Sequence, residues 1–200
     1  QCRSRGLRRR EGSVYPMGGT RRNAGGEDFS PGRPALVDSF SIFAIVPLMI
    51  PDKVRAELAE NGLTALEFEP GSTPTASMAA RRIGVAVGQI AKSILVLGKD
   101  GGYRMIVLAG DRKLSNGKLK ALLGVKTSMA DAEQTLAATG FRPGGVCPFG
   151  LNDGIPVFLD TSLSVYDTIY PAAGTDATGV PITFDRLRDI TGAVLCDVAE

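Results

Sequence analysis

The chain of 200 residues carries 23 basic and 21 acidic side chains, is 44% hydrophobic and contains no histidine. At about 100 to 200 residues per domain this is one globular domain with room for an appendage, and the apolar fraction excludes wholesale disorder. The missing histidine excludes Ser-His-Asp and Cys-His nucleophile pairs, imidazole general bases and His-containing zinc sites.

The opening segment differs from the rest. Residues 1–34 hold eight arginines against three acidic residues, whereas residues 35–200 hold fifteen basic against eighteen acidic. Rich in Arg, Gly and Ser and poor in periodic apolar residues, this stretch cannot bury enough surface to offset its ordering entropy. Residues 1–48 are therefore expected to be a disordered extension followed by a short apolar segment, with the folded domain at 49–200. The chain opens on Gln1, and Met49 stands just ahead of the first clear helix signal. The expectation is accordingly a tail without function, translated from upstream of the domain; the competing reading is an RNA-contacting arm. The longest apolar run, 39–50, spans 12 residues and is interrupted by Pro47, against the roughly 20 that a bilayer needs. Three widely spaced cysteines, Cys2, Cys147 and Cys196, indicate neither a disulfide framework nor a Cys-only metal cluster. A soluble protein of a reducing cytoplasm is the expectation, with no membrane partner.

From Pro51 onward the punctuation is regular. Val54 and Leu58, four apart and followed by Gly62, predict a helix over 51–61, and 63–68 reads as a short strand. Thr73-Pro74 supplies a cap and an N1 proline for a second helix ending at Gly84. A brief turn or helical segment (85–91) leads to an apolar strand (93–97), and Asp100-Gly101-Gly102 turns it into an antiparallel partner, 103–109. Ser115 opens a helix with Leu119, Leu122 and Leu123 on one side, closed by Gly124. Ser128 to Asp131 reads as a capping box for a helix ending at Gly140. A proline and glycine loop, 142–150, precedes strands at 156–160, 168–170 and 180–183, a helix from near Asp185 and a closing strand, 193–198. No repeat, P-loop or G-x-G-x-x-G fingerprint is present. This mixture predicts an α+β domain with a curled, partly barrel-like mixed sheet surrounded by helices.

Two places can carry chemistry. Lys92, at the mouth of the apolar strand, offers three donors to an anionic or carbonyl oxygen from a rigid element; the competing reading is a strand-end lysine that snorkels to solvent. Gly144-Gly145-Val146-Cys147-Pro148-Phe149-Gly150 lets backbone approach a ligand and can aim successive N–H groups into one concavity; the competing reading is a tight surface loop. Cys147 has no imidazole to activate it and reads as a wall residue.

Together, Gly88-Gln89-Ile90-Ala91-Lys92-Ser93, the 144–150 loop and Tyr166-Asp167-Thr168-Ile169-Tyr170 followed by Ala172-Ala173-Gly174 resemble the YbaK/ProX family. These are aminoacyl-tRNA deacylases related to the editing domain of bacterial prolyl-tRNA synthetase. The resemblance covers roughly 49–200. It implies a pocket between the sheet and the glycine loop, with Lys92 matching the functional lysine, Gly144 to Pro148 the G-x-x-x-P loop, and Ala173-Gly174 the small-residue loop near the acceptor end. Candidate substrate contacts are thus Ser93, Gly144, Gly145, Val146, Cys147, Pro148, Phe149, Gly150, Ala173 and Gly174, with no metal and no cofactor.

The implied activity is trans-editing, the hydrolysis of small residues such as Ala or Cys wrongly esterified to tRNA(Pro). The implied partner is the 3′ end of an aminoacylated tRNA, with delivery by a synthetase partner as one route and no DNA. Pro181 stands where some members carry Asp, and the histidine of alanine-clearing members is absent, so the amino acid stays open. A catalytically silent tRNA- or synthetase-binding module, and a hydrolase of another small acyl ester or amide, remain as alternatives.

Overall fold

The structure, a computed structural model, describes residues 49–200; the expectations for residues 1–48 lie outside the described residues. Five α-helices and eight strands are present among the described residues. The expected α+β class with a mixed sheet is the one found.

Helix α1 (Asp52–Glu60) buries Val54 and Leu58, the pair that predicted it. β1 (Leu66–Glu67) is shorter than expected and pairs with β7 (Thr178–Gly179) in a two-stranded ladder. α2 (Ala76–Ile83) starts two residues later than Thr73-Pro74 predicted, because Thr75 is the cap and accepts from the Met78 N–H. A 3-10 turn at Val87–Gln89 feeds β2 (Ile90–Gly98). The strand therefore begins three residues before the expected start, and Lys92 lies within it rather than at its mouth. β3 (Tyr103–Ala109) returns antiparallel through the predicted hairpin.

α3 (Asn116–Leu123) buries Leu119 but leaves Leu122 43% exposed, correcting the expected three-leucine face. β4 (Thr127–Met129) takes up Ser128 and Met129, so the capping box belongs to Asp131 and Gln134, whose side chains and main chains bond reciprocally at the start of α4 (Ala132–Thr139). β5 (Val157–Asp160), β6 (Tyr170–Pro171), α5 (Phe184–Thr191) and β8 (Val194–Cys196) complete the chain.

The main sheet runs β4-β2-β3-β5-β8, with β6 also on β2. β2–β3 and β2–β4 are antiparallel, while β2–β6, β3–β5 and β5–β8 are parallel. Among the described residues this ladder is an open path, with no pairing that closes it into a barrel.

Strand alternation sends Ala91, Leu95, Met105, Val107 and Leu159 to one face, against Val54 and Leu58 of α1, Phe141, Phe149 and Leu187. Val96, Ile106 and Leu108 pack on the other against Leu119 of α3. Buried Asp160 is satisfied by main-chain donors: Oδ1 accepts from Ser162 N–H at 2.8 Å, and Oδ2 from Val198 at 2.6 Å and Ala199 at 3.0 Å. That carboxylate ties the last residues to β5.

Candidate functional site

One edge of β2 is fully paired with β3, but its other edge is shared. β6 lies opposite Ile90 and Ala91, and β4 lies opposite Val96 to Gly98. The local sequence explains the break. β6 ends at Pro171, whose carbonyl accepts from the Val180 N–H on the side away from β2, and the chain then turns through Gly174 at φ +86°. β4 stops because Asp131 caps α4.

A cleft of about 310 Å³ opens in this break. Its floor is residues 90–95. One wall comes from residues 73–76 with Ala79 and Ile83 of α2; another from residues 129–132 with Thr135; the rest from Pro143, Gly144, Val146, Tyr170, Ala172 and Thr178.

Lys92 and the glycine loop therefore share one cleft. The Lys92 side chain is half-buried, and its Nζ donates to the Gly110 carbonyl at 3.4 Å and to the Arg112 carbonyl. Burial lowers the pKa of this ammonium below the ordinary 10.5, and the Asp111 charge opposes that shift. The environment of Lys92 rests on Gly88 as well, where a Cβ would fall 2.0 Å from the Tyr166 hydroxyl and 3.1 Å from Asp111 Oδ2. Gly88, Asp111 and Tyr166 thus cluster next to the lysine. The sequence placed Gly88 and Tyr166 in motifs but had no signal linking them to Asp111.

The glycine loop divides its residues between cleft and core. Gly144 and Val146 line the cleft, whereas Cys147 and Phe149 are fully buried in the main core. Gly145 packs on the main chain of Thr175, where a Cβ would stand 2.7 Å from the Thr175 Cα. Its N–H donates to the Arg142 carbonyl at 3.0 Å, and the Gly150 N–H to Glu57 Oε2 at 2.6 Å. Those two donors, expected to face a ligand, serve the loop's own anchorage. Pro148 is buried, and burial pushes the Cys147 thiol up to about 12, so it presents no thiolate near neutral pH. Ala173 is buried, its N–H held by Thr178 Oγ1 at 2.9 Å, and Gly174 packs beside Pro51 and Phe141. Its neighbour Ala172 reaches the cleft instead.

Ser93 lines the cleft, and its buried Oγ has no hydrogen-bond partner. An unpaired buried hydroxyl costs about 1–3 kcal/mol. Asp131 and Thr135, on the wall before and within α4, were not singled out as site residues by sequence reasoning. Their signals there were helix caps and small residues, which any α+β domain contains.

The cleft thus counts Lys92, Ser93, Gly144 and Val146 among its lining, at the open outer edge of a mixed sheet. Residues 70–190 match the family model described as the aminoacyl-tRNA editing domain, and the chain belongs to that family. It is 39% identical to the Bacillus subtilis protein YwhH over 132 residues, covering 66% of this chain and 82% of that one. It is 25% identical over 125 residues to the candidate Cys-tRNA(Pro)/Cys-tRNA(Cys) deacylase EbsC of Enterococcus faecalis, covering 62% and 76%. A crystal structure described as a candidate trans-editing enzyme for prolyl-tRNA synthetase superimposes with TM-score 0.69 and 35% identity, over 74% of this chain and 96% of that one. Among the described residues no helix is long and apolar enough to cross a membrane.

Proposed function

We propose that the protein is a trans-editing hydrolase that deacylates tRNA carrying the wrong small amino acid, with alanine or cysteine on tRNA(Pro) as the first candidates. The observation that carries this reading is the convergence of Lys92, Ser93, Gly144 and Val146 on one cleft, in a chain of the editing-domain family. At about 310 Å³ the cleft is at the small end of ligand sites, which run from about 300 to 1,000 Å³. That size suits a small aminoacyl group and the edge of a terminal ribose.

The chemistry needs no histidine. An aminoacyl ester is already activated, so placing water and stabilising the oxyanion suffice. Water adds to the ester carbonyl carbon, the bond to the ribose oxygen breaks, and that oxygen takes a proton, with the vicinal ribose hydroxyl as relay. Lys92 supplies positive charge at the cleft, toward the ribose-phosphate end or the amino acid's polar groups. Editing is required because a synthetase rejects a smaller apolar side chain by only about 1–3 kcal/mol per methylene. The cytoplasm, where charged tRNA is used, is the proposed location, and a synthetase delivering the tRNA is the proposed partner.

One observation favours a second reading. The Lys92 ammonium is already engaged by the Gly110 and Arg112 carbonyls, as in a site that binds tRNA without cleaving it. Purified protein offered tRNA(Pro) charged separately with Ala, Cys and Pro separates the two. Deacylation by the native chain that disappears in Lys92→Ala supports the hydrolase; retention of every ester together with tRNA binding supports the silent module. Cleavage of small acyl esters alone makes it a different hydrolase.

A further inference from the structure

Between its two outer partners β2 leaves residues 92–95 with no strand on that edge. The Gly98 N–H donates to the Gly102 carbonyl at 2.9 Å, so these two face each other as a hydrogen-bonded pair. Carried along the β2–β3 register, this turns the N–H and C=O of even-numbered β2 residues toward β3 and those of odd-numbered residues toward the outer edge. Ala91 there lies opposite Pro171 of β6, and the Leu95 carbonyl accepts from the Ala130 N–H at 2.9 Å. Ser93 stands between them, and among the described residues no strand pairs with it on that outer edge. Its Oγ, on the face of β2 that carries Ala91 and Leu95, is buried and without a partner. One residue thus brings an unpaired donor, an unpaired acceptor and an unpaired hydroxyl to the floor of the cleft.

We propose that Ser93 binds the aminoacyl part of the substrate as a one-residue strand, its N–H donating to the ester carbonyl and its C=O and Oγ accepting from the α-ammonium. This rests on the deacylase reading and names the group that holds the substrate's amino acid. Two facing residues of an antiparallel pair exchange both hydrogen bonds, and an α-amino ester carries one donor and one acceptor at that spacing. Strand addition of this kind takes affinity from main-chain bonds and specificity from the side-chain pocket. The paired geometry runs the aminoacyl group antiparallel to β2. It places the amino acid's side chain on the Ser93 face of the sheet, where Val146 and Ala172 pack, and that enclosure limits its size. The Ser93 N–H also stays in place as the carbonyl oxygen becomes an oxyanion.

Calorimetric titration of the full chain with 3′-deoxy-3′-(L-alanylamino)adenosine and with its propionyl counterpart, which lacks the α-ammonium, tests the slot. The amide link in both resists hydrolysis. The alanyl compound is expected to bind about tenfold or more tightly, the scale of one charged hydrogen bond. Ser93→Ala is expected to shrink that preference with Tm unchanged or raised, since it removes an unpaired hydroxyl. Ser93→Thr keeps the preference. Ser93→Pro, which deletes the Ser93 N–H, weakens both analogues alike; should circular dichroism show that it does not fold, the Ser93→Ala comparison decides. No binding of either analogue, equal binding of the two by the native chain, or a preference untouched in Ser93→Ala overturns the proposal. Deacylation of alanyl-tRNA(Pro) by the same proteins reports separately on the hydrolase. Ser93-dependent binding without cleavage would remove that reading and leave the slot standing.

Discussion

Lys92 is the residue at which burial and chemistry meet. Its ammonium is held by two main-chain carbonyls and faces the Asp111 charge, and burial keeps its pKa below 10.5. Below its folded pKa the lysine is charged in both folded and unfolded chains and pays the burial cost in the folded one. Between that pKa and 10.5 the folded state binds fewer protons, so stability rises with pH across that window. On the deacylase proposal activity follows the opposite course, because the ammonium proposed to serve the substrate is lost there. The ratio of native to Lys92→Ala deacylation, in which intrinsic base hydrolysis of the ester cancels, should therefore fall on the alkaline side before pH 10.5. Asp111→Asn removes the charge that raises this pKa and should move the fall to lower pH. Coincident alkaline limbs in the native protein and Asp111→Asn would exclude Asp111 as the residue that positions this charge.

At the scale of elements, short segments hold the cleft open by meeting one another closely. The 144–150 loop rests on the 173–178 segment through Gly145, with a Cβ position 2.7 Å from the Thr175 Cα. Main chain cannot yield as a flexible side chain can, so Gly145→Ala should cost about 1–3 kcal/mol by overpacking, read from urea unfolding. Because Gly144 and Val146 flank it in the cleft wall, deacylation should drop even under conditions where the variant is fully folded. Asp131 works differently: its carboxylate caps α4 by accepting from the Gln134 N–H at 2.8 Å. Asp131→Ala should cost about 1 kcal/mol in the same assay.

For the whole molecule, charge placement bears on how tRNA is held. Residues 35–200 carry slightly more acid than base, which points to contact with a few phosphates at the acceptor end rather than a broad RNA footprint. Engaging about two or three phosphates gives a log affinity against log salt slope of about −2 to −3. If the first residues are a tail without function, that slope should not change when Arg3, Arg5, Arg8, Arg9, Arg10, Arg21, Arg22 and Arg33 are all replaced by Gln in the full chain. A slope that is much steeper in the native chain and relaxes on replacement would restore the arm reading. Filter binding across a salt series measures it.

Local order was legible in the residues themselves. Glycines 84, 124 and 140 all close helices in the left-handed conformation, and the Asp100 hairpin joins β2 to β3. These features depend on neighbours in the chain, whose backbone preferences act at short range. Caps could be misplaced by two or three residues, as at Thr75 and Asp131, because several Ser, Thr and Asp side chains compete and packing selects among them. What the chain alone could not reveal is which groups remain unpaired. That Gly150 spends its N–H on Glu57, that Cys147 is sealed in the core, and that the outer edge of Ser93 stays open all depend on partners from distant parts of the chain. Hydrogen-bond satisfaction is a property of the assembled sheet, so only the tertiary structure decides where a substrate can complete it.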